Sequence, residues 1–175
     1  MRSGHSEISN IGGSTGKYLL IGCCNMGMGA DHGRDSPVKE AALRLALEVR
    51  QPLRVRHCVD ELAALRAEVM VVVGYGQIIP QSIIDLPPLG IINVHASLLP
   101  KYRGAAPIQW AIARGETVTG VTTMQINAGL DTGDVAMTAR VPITDAMTAS
   151  DLHDALADVG AKLIVVSAEE PETSF

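Results

Sequence analysis

The feature that most constrains the fold is a run of four consecutive apolar residues at positions 70–73, closed by Gly74. A strand with apolar residues on both faces is covered on both sides, which is typical of a parallel sheet flanked by helices. The preceding segment, VDELAALRAE at 59–68, repeats its apolar residues at helical spacing. This order predicts a β-α-β arrangement.

The same periodicities predict the other elements. Ser36 caps a predicted helix that starts at Pro37 and buries the stripe Val38, Ala41, Ala42, Leu45 and Val49. Further strands are predicted at 18–22, 90–95, 120–126 and 135–141, and further helices at 107–114, ended by Gly115, and after Thr148. We therefore predict an α/β protein with an open, mostly parallel, Rossmann-like three-layer sheet.

Composition sets the size of the core and the class of protein. The chain has 175 residues, 47% of them apolar and only 3% aromatic, so one domain with an aliphatic core is expected. Cys23, Cys24 and Cys58 form an odd set without C-x-x-C spacing, which argues against a disulfide framework and a zinc site, and no metal is expected. No stretch reads as a signal peptide or a membrane span, which favours a cytoplasmic protein without membrane contact.

The formal net charge of −5 gives no overall attraction to nucleic acid. A local basic patch is still available in a cluster that consists of Arg50, Arg54, Arg56 and His57. Such a run more often belongs to a solvated face, and both interpretations stay open.

Three glycine-containing segments resemble phosphate-binding loops but lack required positions. GGSTGK at 12–17 has Ile11 in place of the first glycine of a P-loop, and Tyr18 follows its lysine. GMGADH at 27–32 and GYGQII at 74–79 both lack the third glycine of a dinucleotide-binding fingerprint. A nucleotide-binding function therefore has little support.

The strongest candidate site starts from Asn93 and His95, which lie two positions apart on a predicted strand. Their side chains leave the same face of the strand, near its carboxyl end, where open α/β sheets bind ligands. A hydrogen-bonded core histidine is the alternative. The neighbouring polar amide weakens that alternative, because two buried polar side chains would both need partners.

Asp131 lies in the glycine-bracketed loop NAGLDTGD between two predicted strands. Alone it reads as a turn aspartate. A carboxylate beside an imidazole favours the imidazolium, and an amide with an imidazolium suits the oxyanion of a tetrahedral centre. Spacing does not establish that Asp131 meets His95, so the residues by themselves indicate only an acyl-type transfer.

Residues 90–135, from GIINVHASLLPKYRGAAPIQW to NAGLDTGDV, resemble the catalytic core of the methionyl-tRNA formyltransferase family, and the resemblance extends over about 36–166. The wider folate-dependent formyltransferases share the Asn-x-His pair, the Ser-Leu-Leu-Pro loop and the aspartate loop. The resemblance implies a formyltransferase-like fold. The implied reaction is attack by the α-amine of initiator methionyl-tRNA on the formyl carbon of 10-formyltetrahydrofolate.

The resemblance also implies roles for individual residues. Asn93 and protonated His95 would steady the oxyanion while Asp131 holds the charge of the histidine. The expected folate-contacting loop is Ser97, Leu98, Leu99 and Pro100, and the expected pterin-pocket residues are Tyr75, Gly76 and Gln77. Lys101, Arg103 and Gly104 are expected to contact the acceptor substrate, although a solvated pair is the alternative for the two cations.

The chain departs from the family pattern at both ends. Residues 1–35 are a glycine-rich segment where the family has a strand, a loop and a helix, so we expect the first β-α unit to be missing or replaced and a central strand to lack its neighbour. Only Arg34 remains of the family's basic loop. We therefore expect residues 36–175 to be a truncated catalytic domain without the C-terminal β-barrel, with weak affinity for tRNA.

Two further hypotheses follow from these departures. The chain could be an inactive folate-binding fragment, or a formyltransferase that acts on an amino-sugar nucleotide or another small amine. In each case we expect a monomer.

Overall fold

The computed structural model describes residues 6–13, 16–23 and 36–169. The strands are β1 (Ser6–Gly13), β2 (Gly16–Cys23), β3 (Val49–Arg50), β4 (Val69–Val73), β5 (Ile91–His95), β6 (Val118–Gln125) and β7 (Val135–Pro142). The helices are α1 (Pro37–Arg44), α2 (Val59–Leu65), α3 (Gln81–Ile84), α4 (Pro107–Ala113) and α5 (Ala149–Glu169). The chain divides into two compact units, Met1–Ile91 and Ile92–Phe175.

In the first unit the strands follow the order β3-β1-β2-β4. β2 pairs in parallel with β4, in a register that runs from Tyr18 opposite Val69 to Gly22 opposite Val73. The expectation that the central strand lacks its neighbour is therefore wrong, because the predicted strand at 18–22 pairs with it. β1 is a second strand in the glycine-rich segment, where we expected only one, and it pairs antiparallel with β2 and β3.

The predicted helix at Pro37 is present, but its predicted buried stripe is wrong. The Ser36 hydroxyl accepts a hydrogen bond from the backbone N–H of Lys39 at 3.1 Å, which caps the helix. Only Ala42 of the stripe is buried, and Leu45 is 70% exposed. The helix is shorter than the apolar pattern, because it ends at Arg44, ahead of a left-handed residue at Ala46, and Val49 lies in β3.

In the second unit β6 lies between β5 and β7, and both pairings are antiparallel. α5 packs on β6 and β7 over a core of Val121, Val141, Leu152 and Leu156. The predicted α/β fold is confirmed, with a sheet that is mixed rather than mostly parallel. In the described residues, β2 and β4 form the parallel pair that their apolar runs predict, whereas β6 and β7 form an antiparallel hairpin.

Residue Thr148 caps α5, as the sequence predicts. Its hydroxyl accepts from the backbone N–H of Asp151 at 3.3 Å, and the Asp151 carboxylate accepts from the backbone N–H of Thr148 at 2.8 Å. The Thr148 hydroxyl also donates to the Asp151 carboxylate at 2.7 Å, and this hydrogen bond, followed by that from the Thr148 N–H, lowers the pKa of Asp151. Over the residues described, no helix combines the length and the apolar character needed to cross a membrane.

Gly120 tests how tightly β6 is enclosed. A Cβ atom at this position would lie 2.1 Å from the carbonyl oxygen of Ala139 on β7 and 2.6 Å from Leu98. We expect Gly120→Ala to lower the free energy of unfolding by about 1–3 kcal/mol, because the strands must separate. Gly76→Ala is the control, since a Cβ atom there meets nothing within 4 Å. Equal stability of the two variants in denaturant titrations would contradict this packing.

Candidate active site

β5 presents Asn93 and His95 on one face of the sheet. Val94, between them, points the other way and packs against the α5 core. The antiparallel pairing sets Asn93 opposite Met124 and His95 opposite Thr122. His95 is buried and Asn93 is half-buried. Within the described ranges the Asn93 side chain makes no hydrogen bond, so its amide N–H groups are available as donors.

Both ring nitrogens of His95 face a defined partner. Nε2 lies 2.8 Å from the backbone carbonyl oxygen of Tyr102. A carbonyl oxygen only accepts hydrogen bonds, so Nε2 carries a proton. Nδ1 faces the Asp131 carboxylate, with 3.7 Å between Nδ1 and Oδ2. That gap is too long for a hydrogen bond and within the range of an ion pair when the ring is protonated.

A hydrogen bond to the loop after β5 holds the Asp131 carboxylate. Its Oδ2 accepts from the backbone N–H of Gly104 at 2.7 Å, and its side chain is only 14% exposed. Asp131 has a φ of 49° and Gly104 a φ of 82°, so both residues lie in the left-handed region. The structure thus brings together His95 and Asp131, which sequence spacing alone did not connect, and assigns Gly104 a contact with the carboxylate.

The Ser-Leu-Leu-Pro loop is held by its own hydrogen bonds. The fully buried Ser97 donates its hydroxyl hydrogen to the carbonyl of Lys101 at 2.6 Å. The Thr122 hydroxyl on β6 donates to the carbonyl of Ser97 at 2.7 Å and accepts from the backbone N–H of Leu99 at 3.2 Å. Since the Ser97 hydroxyl is committed to the turn, the half-buried Leu98 and Leu99 and the exposed Pro100 are the members of this loop with free surface.

Thr122 is a residue that sequence reasoning missed. A threonine in a strand is ordinary, and only the fold reveals that its hydroxyl joins β6 to the loop.

Glu116 is the second residue that sequence reasoning missed. Its carboxylate accepts from the Tyr102 hydroxyl at 2.6 Å and from the Lys101 ammonium at 2.9 Å. The Tyr102 hydrogen bond, with help from Lys101, lowers the pKa of Glu116, and the carboxylate in turn raises the pKa of Tyr102 and of Lys101. Lys101 is therefore an ion-pair partner as well as a candidate for substrate contact, whereas Arg103 is exposed.

The remaining predicted residues lie in the first unit. Tyr75, Gly76 and Gln77 follow β4, with Gly76 exposed and the other two half-buried, and their role at a pterin stays a prediction.

In the basic cluster, Arg50 pairs with Glu48 at 2.7 Å and with Glu61 at 3.4 Å. These pairs favour the interpretation of the cluster as a solvated face. Among the described residues, no group of three or more acidic, histidine or cysteine side chains is arranged to hold a metal ion.

The fold and the site define an α/β protein in which an imidazole and a carboxylate face each other, with an amide two positions from the imidazole on the same strand. The chain belongs to the formyl transferase family, whose model matches residues 30–167.

Relatives and solved structures of the same family agree with that membership. The chain is 60% identical over 133 residues to a methionyl-tRNA formyltransferase of Koribacter versatilis (strain Ellin345), an alignment that covers 74% of this chain and 43% of that protein. It is 50% identical over 140 residues to one of Acetivibrio thermocellus, covering 79% of this chain and 45% of that protein. The chain thus spans less than half the length of these relatives.

Among solved structures, the chain resembles a glycinamide ribonucleotide transformylase 1 of Geobacillus kaustophilus with a TM-score of 0.66 and 25% identity, over 82% of this chain and 77% of that one. A phosphoribosylglycinamide formyltransferase of Bacillus halodurans gives a TM-score of 0.58 and 28% identity, over 67% of this chain and 58% of that one.

We predict that Thr122→Val loosens the loop at 97–101. Valine keeps the shape but leaves the Ser97 carbonyl and the Leu99 N–H without their partner, which costs about 1–3 kcal/mol of folding free energy. Hydrogen exchange at the Leu99 amide should accelerate. Thr138→Val, at an exposed position of β7, is the matched control. Unchanged exchange in Thr122→Val would show that this hydroxyl does not hold the loop.

We also predict a pH dependence of the contacts around Glu116. Because its pKa is lowered from 4.5, these contacts add stability above the pKa of the unfolded chain and lose it as the pH falls through the lower folded value. Carboxyl-carbon NMR should therefore find Glu116 titrating below 4.5, and its midpoint should rise in Tyr102→Phe. An identical midpoint in that variant would mean that the tyrosine does not stabilise the carboxylate.

Proposed function

We propose that this chain transfers the formyl group of 10-formyltetrahydrofolate to the α-amine of methionyl-tRNA, a reaction of translation in the cytoplasm. The observation that carries the proposal is the 3.7 Å approach of His95 and Asp131 beside Asn93. These three residues match the catalytic residues that the family resemblance implies. The names of the relatives at 50–62% identity favour methionyl-tRNA over other acceptors.

The chemistry requires a group that stabilises a tetrahedral oxyanion. When the neutral amine attacks the formyl carbon, the C=O π bond opens and negative charge develops on oxygen. The Asn93 amide is available as a donor, and Nδ1 of His95 becomes a donor when the ring is protonated. Nε2 does not serve in this role while it is bonded to the Tyr102 carbonyl.

The Asp131 carboxylate has two parts in the proposed reaction. It stabilises the imidazolium of His95 by charge. The attacking amine must lose one proton, and N10 of the folate must gain one before the C–N10 bond breaks. Asp131 and His95, which face each other, are the groups suited to pass that proton on.

The folate is proposed to contact Leu98, Leu99 and Pro100, and a role of Tyr75, Gly76 and Gln77 at the pterin rests on the family resemblance alone. Leu98 and Leu99 offer apolar surface on a loop that hydrogen bonds to Thr122 keep in one shape.

Binding of the tRNA is proposed to use Lys101 and Arg103, both exposed and next to the loop that holds Asp131. With two cations proposed to contact the tRNA and a net charge of −5, we expect weak affinity with a shallow salt dependence, because the slope of log K against log[salt] follows the number of phosphates neutralised.

We predict that His95→Ala and Asn93→Ala each reduce formyl transfer by about 100- to 1,000-fold, the usual loss when one oxyanion donor is removed. The measurement is transfer of labelled formyl from 10-formyltetrahydrofolate to methionyl-tRNA. Asp154→Asn, an exposed carboxylate on α5, is the control for the loss of a charge and should keep the wild-type rate.

Each alternative gives a different result in this assay. Equal rates for wild type and His95→Ala would contradict the catalytic proposal. Calorimetry with a folate analogue would then identify a binding fragment. Faster transfer to amino-sugar nucleotides or other small amines than to methionyl-tRNA would redirect the assignment to a small acceptor.

A further inference from the structure

Tyr102 is fixed at both of its ends. Its carbonyl oxygen accepts from Nε2 of His95 at 2.8 Å, and its hydroxyl donates to Glu116 at 2.6 Å. The guanidinium of Arg114 lies 5.8 Å from the centre of its ring, within the range of a cation–π contact. Tyr102 thus links Glu116, which precedes β6, through its side chain to the ring of the candidate catalytic histidine through its backbone carbonyl.

The backbone of Tyr102 does not favour this position by itself. Its φ of 57° lies in the left-handed region, where a Cβ atom crowds the following carbonyl oxygen. A tyrosine stays in such a conformation only when surrounding contacts hold it. The hydroxyl and the ring of Tyr102 make the side-chain contacts that support this conformation. The backbone on either side is held by the hydrogen bonds of Ser97 with Lys101 and of Gly104 with Asp131.

The direction of that carbonyl decides what His95 can do. With the Nε2 proton committed to Tyr102, the ring must present Nδ1 to Asp131. Nδ1 then alternates between an acceptor, in the neutral ring, and a donor, in the imidazolium. A ring released from Tyr102 could rotate and lose the approach to the carboxylate.

We propose that Tyr102, tethered by Glu116, is a positioning residue that holds the His95 ring with its proton on Nε2 and its Nδ1 toward Asp131. The proposal deepens the proposed function and rests on it for its catalytic consequence. Its structural consequence, the engaged Nε2 proton, does not depend on any activity of the chain.

The first test follows the Nε2 proton of His95 by NMR. In the wild type this proton is hydrogen-bonded and buried, so its resonance should be shifted downfield and sheltered from solvent exchange. His95→Ala identifies the signal. Loss of the tether in Tyr102→Phe or Glu116→Ala should accelerate exchange about three- to tenfold, the effect of one net hydrogen bond, whereas Glu116→Gln, which keeps an acceptor, should stay closer to the wild type. Unchanged exchange in both tether variants overturns the proposal.

The second test separates the backbone of Tyr102 from its ring. Tyr102→Ala and Tyr102→Gly both remove the ring, but only glycine adopts the left-handed conformation without a steric cost. If the carbonyl is what matters, Tyr102→Gly should retain a kcat about three- to tenfold above that of Tyr102→Ala, with the KM for folate unchanged. Equal kcat values for the two variants would assign any role of Tyr102 to its ring and overturn the proposal.

Failure of this inference is distinguishable from failure of the proposed function. A chain that transfers no formyl group still reports the Nε2 proton in the first test. The converse result is formyl transfer by the chain together with unchanged exchange of the His95 Nε2 proton in the tether variants. That result supports the proposed function and contradicts the positioning role of Tyr102. Thermal melts of every variant, with Asp154→Asn beside them, show whether the fold is intact.

Discussion

The hydrogen bond from the Gly104 N–H to Asp131 is the constraint on which the candidate site depends. It joins two loops that are 27 positions apart in the chain. A carboxylate that accepts a backbone hydrogen bond is fixed in direction, so the 3.7 Å approach to His95 is set by backbone geometry rather than by a flexible side chain. The reacting groups can then be arranged before any substrate arrives.

Hydrogen bonds within the loop NAGLDTGD hold the Asp131 carboxylate in position. The Asn127 side chain accepts from the Gly129 N–H and from the Thr132 hydroxyl, both at 2.9 Å, and so closes the loop on itself. At Gly133 a Cβ atom would lie 1.8 Å from the Gln125 carbonyl, so only glycine fits where the loop returns to β6. Asp131 can therefore adopt its left-handed backbone because the residues around it are already fixed.

The sequence predicted the parts of this site that follow from local periodicity. The alternation of a strand sufficed to place Asn93 and His95 on one face, and the same periodicity predicted the strand at 120–126 and the helix after Thr148 that form the neighbouring core. The meeting of His95 with Asp131 needed the pairing of β5 with β6 and the shape of two loops, which no local pattern encodes. The family resemblance predicted that His95 and Asp131 act together, which the residues alone did not. It could not reveal Thr122 or Glu116, whose roles arise only from what they touch.

The first unit shows the limits of periodicity in another way. β1 contains two isoleucines and two glycines among its eight residues, so its own composition favours a strand only weakly, and its pairing with β2 and β3 defines it. For α1 the error was the reverse. The apolar pattern continued past Arg44, but the left-handed turn at Ala46 ended the helix, and Leu45 was left exposed. Hydrophobic spacing predicts a helix better than it predicts which of its residues are buried.

Left-handed backbone recurs around the candidate site. Tyr102, Gly104, Ala106 and Asp131 all have φ values between 49° and 82°. Such conformations cost the non-glycine residues free energy, so they persist only where a stable frame supports them. β6 provides that frame, because it is buried along most of its length and holds the Ser97–Leu99 turn through Thr122. The strained loop and the rigid strand therefore act together. The strand keeps the loop in place, and the loop directs the Tyr102 carbonyl at His95 and the Gly104 N–H at Asp131.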